Sequence, residues 1–486
     1  MPGSPTEFLI LAFDIGTSST RTALFDFRAQ RLAKTTFSEK YDVNYGADGR
    51  AELDPTTLLR AIIRSRHQSM RAYGSLPRRK RLPITIVGAS AFWHGLLGLD
   101  RKLKPVTPVF TWADSRAIPA ARKLRETFNE HQIQQETGCM LRATFWPAKL
   151  RWLRDSRPAL FRRVNHWVSP SDWIFFKLFG ELRSSPSMAS GTGLFDLATG
   201  TWHKKLADAC GIRVGSLPEI SGRLTDRIND RVEQFVFAPL GDGAASNLGS
   251  GADQPLVAAI NVGTSAAMRV IEHGGNSRLP YGLFRYVVHK RKTLIGGATS
   301  NAGNLRQWCL RELRLSQQSA PMEQVLSRKL AATDSLIILP FWVSERAPTW
   351  PEDQAGAIDG LTQATTAEEI ARSCATATFY RIAAILEEIE RSLGQRLRNI
   401  IVSGGILKSS AGLEILADSL GRDLQICVEP EASLRGAAVH ALAQLDVQIP
   451  KLRAAKMVKH DPKLATMHQK RCKWQTELEK VLTVNR

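Results

Sequence analysis

The sequence predicts an α/β protein built from two similar lobes. Apolar β-type runs alternate along the chain with amphipathic segments of helical length, which is the pattern of that fold class. A strand, a glycine turn and a returning strand occur at residues 8–27 and again at 256–273. The turn glycines, Gly16 and Gly263, lie 247 residues apart, about half of the 486-residue chain. A repeat at this spacing indicates two lobes that each begin with the same hairpin.

Both hairpin tips carry residue types that suit phosphate. Glycine allows the backbone to approach a ligand, and hydroxyls beside free N–H groups can surround phosphate oxygens. Arg21 could also be an ordinary outward-facing strand residue. The candidates for phosphate binding are Gly16, Thr17, Ser18, Thr20 and Arg21 in the first tip and Gly263, Thr264 and Ser265 in the second.

Only the first tip has a carboxylate. Asp14 ends an apolar strand, whereas the second tip begins with Asn261. A carboxylate at a buried strand end needs a cation, and Mg²⁺ bound through water is the natural partner. We therefore expect the metal on the first lobe, with a simple strand-end cap as the alternative.

The second half continues with strand and helix pairs. Thr366 and Glu369 form a capping box that predicts the start of a long helix, 366–393, and Gly394 ends it. The strand NIIVSGG (399–405) and a further helix follow.

Two boundaries follow from composition. Glycine is densest at 249–252, where we place the junction between the lobes. After Asp446 the periodicity weakens and Lys and Arg outnumber Asp and Glu, which predicts a basic extension outside the core at 446–486.

The overall charge limits the classes of partner. The chain has 66 Lys and Arg against 46 Asp and Glu, a net charge of +20, which attracts anions such as ATP or an acidic sugar. These residues are spread over the whole chain without interleaved aromatic platforms, so a nucleic-acid partner is the less favoured explanation of the charge.

The six scattered cysteines show no metal-ligand spacing and indicate reduced thiols. The run 8–13 is too short to span a membrane and lacks the features of a signal peptide, so we expect a cytoplasmic protein without a membrane partner.

Three further segments carry side chains suited to chemistry. Asp242 follows an apolar run and lies between two glycines, where it could accept a proton in a cleft or form an Asp–Gly surface turn; spacing alone leaves both open. The other two segments combine flat rings with polar groups that could hold the hydroxyls of a sugar, although aromatic residues near strand ends are often core. Their candidates are Trp93 and His94 in one and Trp112, Asp114 and Arg116 in the other.

An ordered set of motifs resembles the FGGY carbohydrate kinases, and within them the gluconokinase-like branch. The resemblance spans about residues 8–445 and implies two ribonuclease-H-like lobes of the actin-like ATPase type, with ATP and sugar meeting between them. It implies an N-terminal lobe at 8–248 and a C-terminal, ATP-binding lobe at 249–445. The matching segments are DIGTSSTR (14–21), FWHG (92–95), TWADSRA (111–117), SPSDW (169–173), GDGAASNLGSG (241–251), NVGTSA (261–266), GGATSNAGN (296–304), SERAPTW (344–350), SGGILKSSAGLEILADSLG (403–421) and EPEASLRGAA (429–437).

The same resemblance implies roles for individual residues. It assigns the catalytic proton acceptor to Asp242 and a metal-linked role to Asp14. It implies an adenosine-binding turn at Gly404, Gly405 and Ser409. The segments at 92–95 and 111–117 match acceptor-binding segments of the family, and a guanidinium such as that of Arg116 can bind a carboxylate through two hydrogen bonds.

One loop departs from the family pattern. The acidic residue that relatives often place directly after the tryptophan comes one step later here, at Glu352, and residues 353–356 also differ. This difference puts the identity of the acceptor in doubt rather than the activity.

We therefore expect an ATP- and Mg²⁺-dependent kinase that phosphorylates gluconate or a related sugar acid. A ketose or polyol acceptor, as in xylulokinase, keeps the same mechanism and is the alternative. A non-enzymatic nucleotide switch of the actin or Hsp70 type is less favoured, because the acceptor segments match and no separate peptide-binding domain is apparent. The sequence is compatible with a homodimer and leaves the oligomeric state open.

Overall fold

The first hairpin forms the centre of a sheet because its apolar run is buried on both faces. The computed structural model describes residues 7–229, 232–274, 277–315, 319–328, 330–331, 334–452 and 455–484. Every residue of Leu9–Ile15 is buried. This strand lies antiparallel to Ser19–Asp26 and parallel to Ile84–Ala91, as expected for a strand without a polar face.

The N-terminal lobe surrounds this sheet with helices and short strands. Its described strands are β1 (Leu9–Ile15), β2 (Ser19–Asp26), β3 (Phe37–Lys40), β4 (Asn44–Tyr45), β5 (Ala51–Leu53), β6 (Ile84–Ala91), β7 (Leu97–Leu99), β8 (Val109–Phe110), β9 (His166–Val168), β10 (Arg183–Ser184), β11 (Phe195–Asp196), β12 (Thr201–Trp202), β13 (Glu219–Ile220), β14 (Arg223–Asn229), β15 (Val232–Phe237) and β16 (Leu240–Gly241). Its helices are α1 (Pro55–Gly74), α2 (Ile118–Thr127), α3 (Glu130–Thr137), α4 (Trp146–Ser156), α5 (Pro158–Arg163), α6 (Pro170–Phe179), α7 (Pro186–Ser190), α8 (Lys204–Ala209) and α9 (Asp242–Ser250).

The C-terminal lobe repeats the central topology. Its described strands are β17 (Val257–Val262), β18 (Ala266–His273), β19 (Phe284–His289), β20 (Lys292–Thr299), β21 (Ile337–Leu339), β22 (Ala357–Asp359), β23 (Asn399–Gly404), β24 (Leu424–Ile426) and β25 (Met457–Val458). Its helices are α10 (Gly303–Glu312), α11 (Ser319–Ser327), α12 (Ala367–Leu393), α13 (Ser410–Leu420), α14 (Ala432–Gln444) and α15 (Pro462–Val484).

The two sheets share a three-strand unit. In the first lobe β1 pairs antiparallel with β2 and parallel with β6; in the second lobe β17 pairs antiparallel with β18 and parallel with β23. The predicted duplication is therefore present in the strand order, and the predicted α/β class is confirmed. The long helix also begins at the predicted capping box, because the Thr366 side chain accepts from the backbone of Glu369 and Glu369 accepts in return.

Helix α14 connects the lobes in space. It follows the strands of the second lobe in sequence, yet its apolar residues pack in the core of the first lobe and against α9. The helices α9 and α14 approach closely at glycines: a Cβ on Gly249 would lie 1.7 Å from the carbonyl oxygen of Ala432, and one on Gly436 would lie 1.8 Å from that of Ala245. The predicted junction near 249–252 therefore coincides with a tight helix crossing.

The C-terminal segment differs from its prediction as an extension outside the core. Strand β25 pairs with β24 and so extends the second sheet, and α15 packs on α12 and α13. The apolar periodicity of this segment is too weak to predict the packing, because the buried face of α15 contains polar residues: His468, Arg471, Gln475 and Glu479. No helix within the described residues is both long and apolar enough to cross a membrane.

Candidate active site

The tips of the two hairpins reach one cavity between the lobes. The cavity has a volume of about 220 Å³ and is lined by Thr17 of the first tip, Asn261 and Ser265 of the second, and Asp242. Pockets for drug-sized ligands measure about 300–1,000 Å³, so this one suits a single small polar molecule. Aromatic and basic side chains form much of the remaining wall: Trp93, His94, Trp112, Phe145, Arg269, Tyr286, Arg346 and Trp350.

Asp242 occupies the first turn of α9 and is held there by a tryptophan. A Cβ on Gly241 would lie 1.8 Å from Cε2 of Trp93, and one on Gly243 would lie 2.7 Å from Cζ3 of the same ring. Gly241 is thus explained by the close approach of Trp93, and Gly243 by the approach of both Trp93 and Arg269, whose Nε would lie 2.5 Å from the added Cβ. The indole Nε1 of Trp93 in turn donates to the carbonyl of Ser187 at 2.9 Å.

The environment of Asp242 makes its carboxylate basic. Burial raises its pKa to about 6, and the nearby charge of Asp14 acts in the same direction, whereas Arg269 and, more weakly, Arg346 oppose the shift. A carboxylate with this pKa is ionised near neutral pH and is also a better proton acceptor than an exposed one. The geometry thus allows general-base chemistry at this position.

In the first tip, the carboxylate and the arginine bind each other. Nη1 of Arg21 lies 3.1 Å from Oδ2 of Asp14, and Nε of Arg21 lies 3.7 Å from the Glu431 carboxylate. Burial raises the pKa of Asp14. The Thr20 hydroxyl donates to the Asp14 carbonyl at 3.1 Å and is fully buried, while Thr17 faces the cavity.

The Asp14 carboxylate fits Mg²⁺ held through water. It is buried with only partial compensation from an arginine whose side chain is 40% exposed. Within the described residues no group of three or more His, Cys, Asp or Glu could hold a metal by itself. This donor set suits an ion that keeps several waters and also binds the phosphates of its substrate.

The second tip is tied to its neighbours by backbone hydrogen bonds. The Gly263 amide donates to the Ser265 carbonyl at 2.9 Å, and the amide of Asn304, in the first turn of α10, donates to the Thr264 carbonyl at 3.1 Å. The glycine pair predicted to bind adenosine lies beside this tip, since Gly404 pairs with Val262 in the sheet.

Gly404 occupies a position that requires glycine. Its φ is 94°, and a Cβ there would lie 2.5 Å from the carbonyl oxygen of Val262. Ser409 caps α13 by accepting from the Gly412 amide at 3.0 Å. Gly404, Gly405 and Ser409 lie outside the described lining of the shared cavity, in the C-terminal lobe.

His94 is a neutral acceptor at the cavity wall. Its Nδ1 lies 2.6 Å from the Gly191 carbonyl, which can only accept, so Nδ1 carries the proton and Nε2 has a free lone pair. Burial lowers the pKa of His94 to about 3, so the ring stays uncharged. Lys149 donates to the carbonyls of His94 and Thr111, at 2.9 and 2.7 Å, and thereby joins the two predicted acceptor segments.

Arg116 lies in an internal ion-pair cluster. Its guanidinium binds the carboxylates of Asp114 and Glu52, each at 2.5 Å, and its side chain is 6% exposed. Asp114 also accepts from the Ala51 amide at 3.1 Å. Neither Asp114 nor Arg116 is among the residues that line the 220 Å³ cavity, although Trp112 of the same segment is.

Sequence reasoning missed the basic and aromatic residues of the C-terminal lobe. Arg269 lies on β18 directly after the second tip, and its Nε is buried without a hydrogen-bond partner in the described structure. Arg346 stacks on Trp112, with Cζ 4.8 Å from the ring centroid, and donates through Nε to Ser300 at 3.1 Å. Arg269 lies three residues after the recognised motif NVGTSA and Arg346 lies within the recognised motif SERAPTW, so their positions relative to those motifs were the signal available.

Two lobes of repeated topology that share one polar cavity are the architecture of the actin-like ATPase fold class. The family models for the N-terminal and C-terminal domains of the FGGY family of carbohydrate kinases match residues 9–241 and 258–445. The chain therefore belongs to the FGGY family of carbohydrate kinases, as its motifs predicted.

Relatives with different acceptors are similarly distant. The chain is 24% identical to the gluconokinase of Bacillus subtilis (strain 168), over 89% of this chain and 87% of that protein. It is 23% identical to the xylulose kinase of Staphylococcus xylosus, over 89% of this chain and 90% of that one. The crystal structure of gluconate kinase from Lactobacillus acidophilus superposes with a TM-score of 0.87 at 24% identity, covering 98% of both chains. These comparisons show the family and the fold.

Proposed function

We propose that the chain transfers the γ-phosphoryl group of ATP to the terminal hydroxyl of gluconate, giving 6-phosphogluconate. The observation that carries this proposal is the presence of two guanidinium groups, those of Arg269 and Arg346, in the same small cavity as Asp242. Guanidinium groups bind carboxylates strongly and with defined geometry. A neutral polyol would offer these two guanidinium groups no anionic group of its own.

The electrostatics suggest how the acceptor is oriented. The charge of Arg269 affects Asp242 more strongly than that of Arg346 does. Arg346 therefore suits the carboxylate end of an extended six-carbon chain whose other end meets Asp242. Arg269 suits the negative charge that develops near the reacting hydroxyl.

Asp242 accepts the proton of the attacking hydroxyl in this mechanism. His94 accepts a hydrogen bond from another acceptor hydroxyl through Nε2, since Nδ1 is committed to Gly191. The rings of Trp93 and Trp112 restrict the volume around the acceptor and exclude water.

The nucleotide phosphates lie between the two tips in this proposal. Thr17 and Ser18 contact them from the first lobe, with Gly16 allowing close approach, and Gly263, Thr264 and Ser265 contact them from the second. Arg21 shifts from Asp14 toward phosphate when the nucleotide binds. Mg²⁺, held by Asp14 through water, would neutralise phosphate charge. Gly404, Gly405 and Ser409 are the proposed adenosine contacts.

A matched pair of acceptors tests the proposal. Gluconate and its neutral alcohol analogue sorbitol differ at one end only, where sorbitol has a hydroxymethyl group in place of the carboxylate. We expect ADP release to depend on gluconate and to be weak with sorbitol, xylulose, ribulose and glycerol. Because xylulose kinases are equally close relatives, strong activity with xylulose and none with any sugar acid would refute the gluconate assignment.

Variants connect the activity to the named residues. Asp242→Asn should lose about 10²–10⁴-fold in kcat while retaining ATP binding. Arg346→Met should raise the KM for gluconate by about tenfold to a hundredfold, the cost of losing a charge-assisted hydrogen bond, and change the KM for sorbitol little. Arg122→Met is the control, because Arg122 is 51% exposed and pairs with the exposed Asp353.

A further inference from the structure

Helix α15 packs on the C-terminal lobe through a polar stripe. His468, Arg471, Gln475 and Glu479 recur at intervals of three or four residues on one helix face, and each is at most 6% exposed. A helix that only covers a core normally buries an apolar face. The matched family domain ends at residue 445, so it assigns no role to this helix.

Two residues of the stripe hydrogen-bond to the backbone in and just before β21. Arg471 donates to the carbonyls of Asp334 and Leu336, just before β21. Gln475 donates to the carbonyl of Ile338, in β21, at 2.7 Å. The residues bound along the stripe, 334, 336 and 338, thus come progressively closer in sequence to the SERAPTW motif at 344–350.

Glu479, at the end of the stripe, contacts the loop that lines the acceptor cavity. We call residues 344–352 the acceptor loop, because Arg346 and Trp350 belong both to this loop and to the cavity wall. The Glu479 carboxylate accepts from the Thr349 hydroxyl and from the guanidinium of Arg381 on α12. Arg381 also donates through Nη2 to Thr349 Oγ1 at 2.8 Å and to the Ala347 carbonyl at 3.3 Å.

The other end of the acceptor loop is held by the N-terminal lobe. Glu352 is the acidic residue displaced by one position from the family pattern, and its carboxylate accepts from Arg142 at 3.1 Å and from Arg125 at 3.2 Å. Its side chain is 5% exposed. The loop is therefore fixed at one end to α15 through Glu479 and at the other to the first lobe through Glu352.

We infer that Glu479 is a positioning residue for the acceptor site: through Arg381 and Thr349 it holds the acceptor loop, and the C-terminal helix thereby sets the affinity for the acceptor. The inference rests on the proposed function in that the 220 Å³ cavity is taken as the acceptor site. The Arg381 and Glu479 side chains are 4% and 7% exposed, so removing the carboxylate leaves a buried cation that must find other partners. The groups nearest to it are those of the acceptor loop.

Among the described residues, the hydrogen bonds that hold the two nucleotide tips do not involve Glu479, Arg381 or Thr349. The acceptor loop bonds to the segment before α10 separately, through Glu345 and Arg346. The second tip is held by hydrogen bonds of its own backbone and of α10, and the first tip belongs to the other lobe. Loss of the Glu479 contact should therefore affect the acceptor and leave the nucleotide largely unaffected.

Glu479→Gln in the full chain tests the inference, with Glu477→Gln as the matched control. Glu477 lies on the same helix, is 65% exposed and pairs only with Lys480 among the ion pairs of the described residues. For the acceptor that is active in the screen, we expect KM to rise about tenfold with Glu479→Gln, as for a displaced binding group, with the KM for ATP within about twofold of the parent. Glu477→Gln should match the parent in both. An equal rise in both KM values, or none, would overturn the inference.

A second measurement does not depend on turnover. Amide hydrogen exchange in the absence of ligands should become faster in residues 341–352 of Glu479→Gln, while the tips at 14–20 and 261–266 keep the parent rates. Unchanged exchange in 341–352 would overturn the inference even if the parent phosphorylates a different acceptor. If the parent phosphorylates no compound in the screen, the proposed function fails and exchange alone decides the role of Glu479.

A milder variant guards against loss of folding. Thr349→Val removes the hydroxyl that joins the loop to Glu479 but keeps the buried pair with Arg381. It should give the same selective change in KM or loop exchange at reduced size. A folded Thr349→Val with parental values in both would contradict the inference.

Discussion

The acid limb of the activity profile gives the sharpest test of the site, because it reports the ionisation of Asp242. The carboxylate must be ionised to accept a proton, and its pKa is raised to about 6 by burial. A raised pKa means that the base form is lost as the pH falls through that value. From pH 7 to pH 5 the ionised fraction falls from about nine tenths to about one tenth, a tenfold loss. An aspartate with an ordinary pKa of about 3.9 would remain mostly ionised over the same interval.

The assay is kcat/KM for the acceptor from pH 5 to pH 8, because this parameter reports the ionisation of the enzyme before the acceptor binds. The nucleotide also titrates in this range, so the parent is compared with Asp242→Glu, which shares every other ionisation and changes the position of the carboxylate. We expect an acid limb near pH 6 in the parent and a displaced limb in the variant. Identical limbs, or constant parental kcat/KM down to pH 5, would refute the assignment of Asp242 as the base.

Three further outcomes follow from the packing. Gly241→Ala should lower turnover and destabilise the fold by about 1–3 kcal/mol, because its Cβ would overlap the ring of Trp93; Gly215→Ala, with open space around it, should do neither. Arg116→Met should lower thermal stability by an amount equivalent to about 3–5 kcal/mol, and a parental melting temperature would contradict its structural role. Because the cavity lies between two lobes, we expect the lobes to close when acceptor and a non-hydrolysable ATP analogue bind together; small-angle scattering should then give a smaller radius of gyration, and an unchanged radius would exclude this closure.

Short sequence patterns predicted those elements of the fold whose defining residues lie within a few positions of one another. The hairpin tips could be recognised because glycine, hydroxyl and strand residues lie within one turn, and the start of α12 because its capping box spans four residues. The place of α14 could not be predicted in this way. Its pattern is nearly all small and apolar, and its packing in three dimensions, including the close approach of Gly436 to Ala245, shows that it belongs against the first lobe.

Arg116 and Arg346 show that a sequence motif also does not reveal which residues a side chain contacts within the site. Both arginines lie within recognisable motifs, TWADSRA and SERAPTW, and arginine is a residue type that commonly binds carboxylates. What separates them is the location of counter-ions. Arg116 binds the carboxylate of Glu52, which lies 64 residues earlier. Arg346 donates to the Ser300 hydroxyl and the Thr299 carbonyl, and the nearby Glu345 carboxylate forms no ion pair with it among the described contacts. A guanidinium whose charge is already balanced gains little from a second carboxylate, while a buried one without an ion pair gains much. In the proposed function the acceptor carboxylate therefore binds Arg346 rather than Arg116, and a single sequence cannot reveal which of the two arginines already has an ion pair.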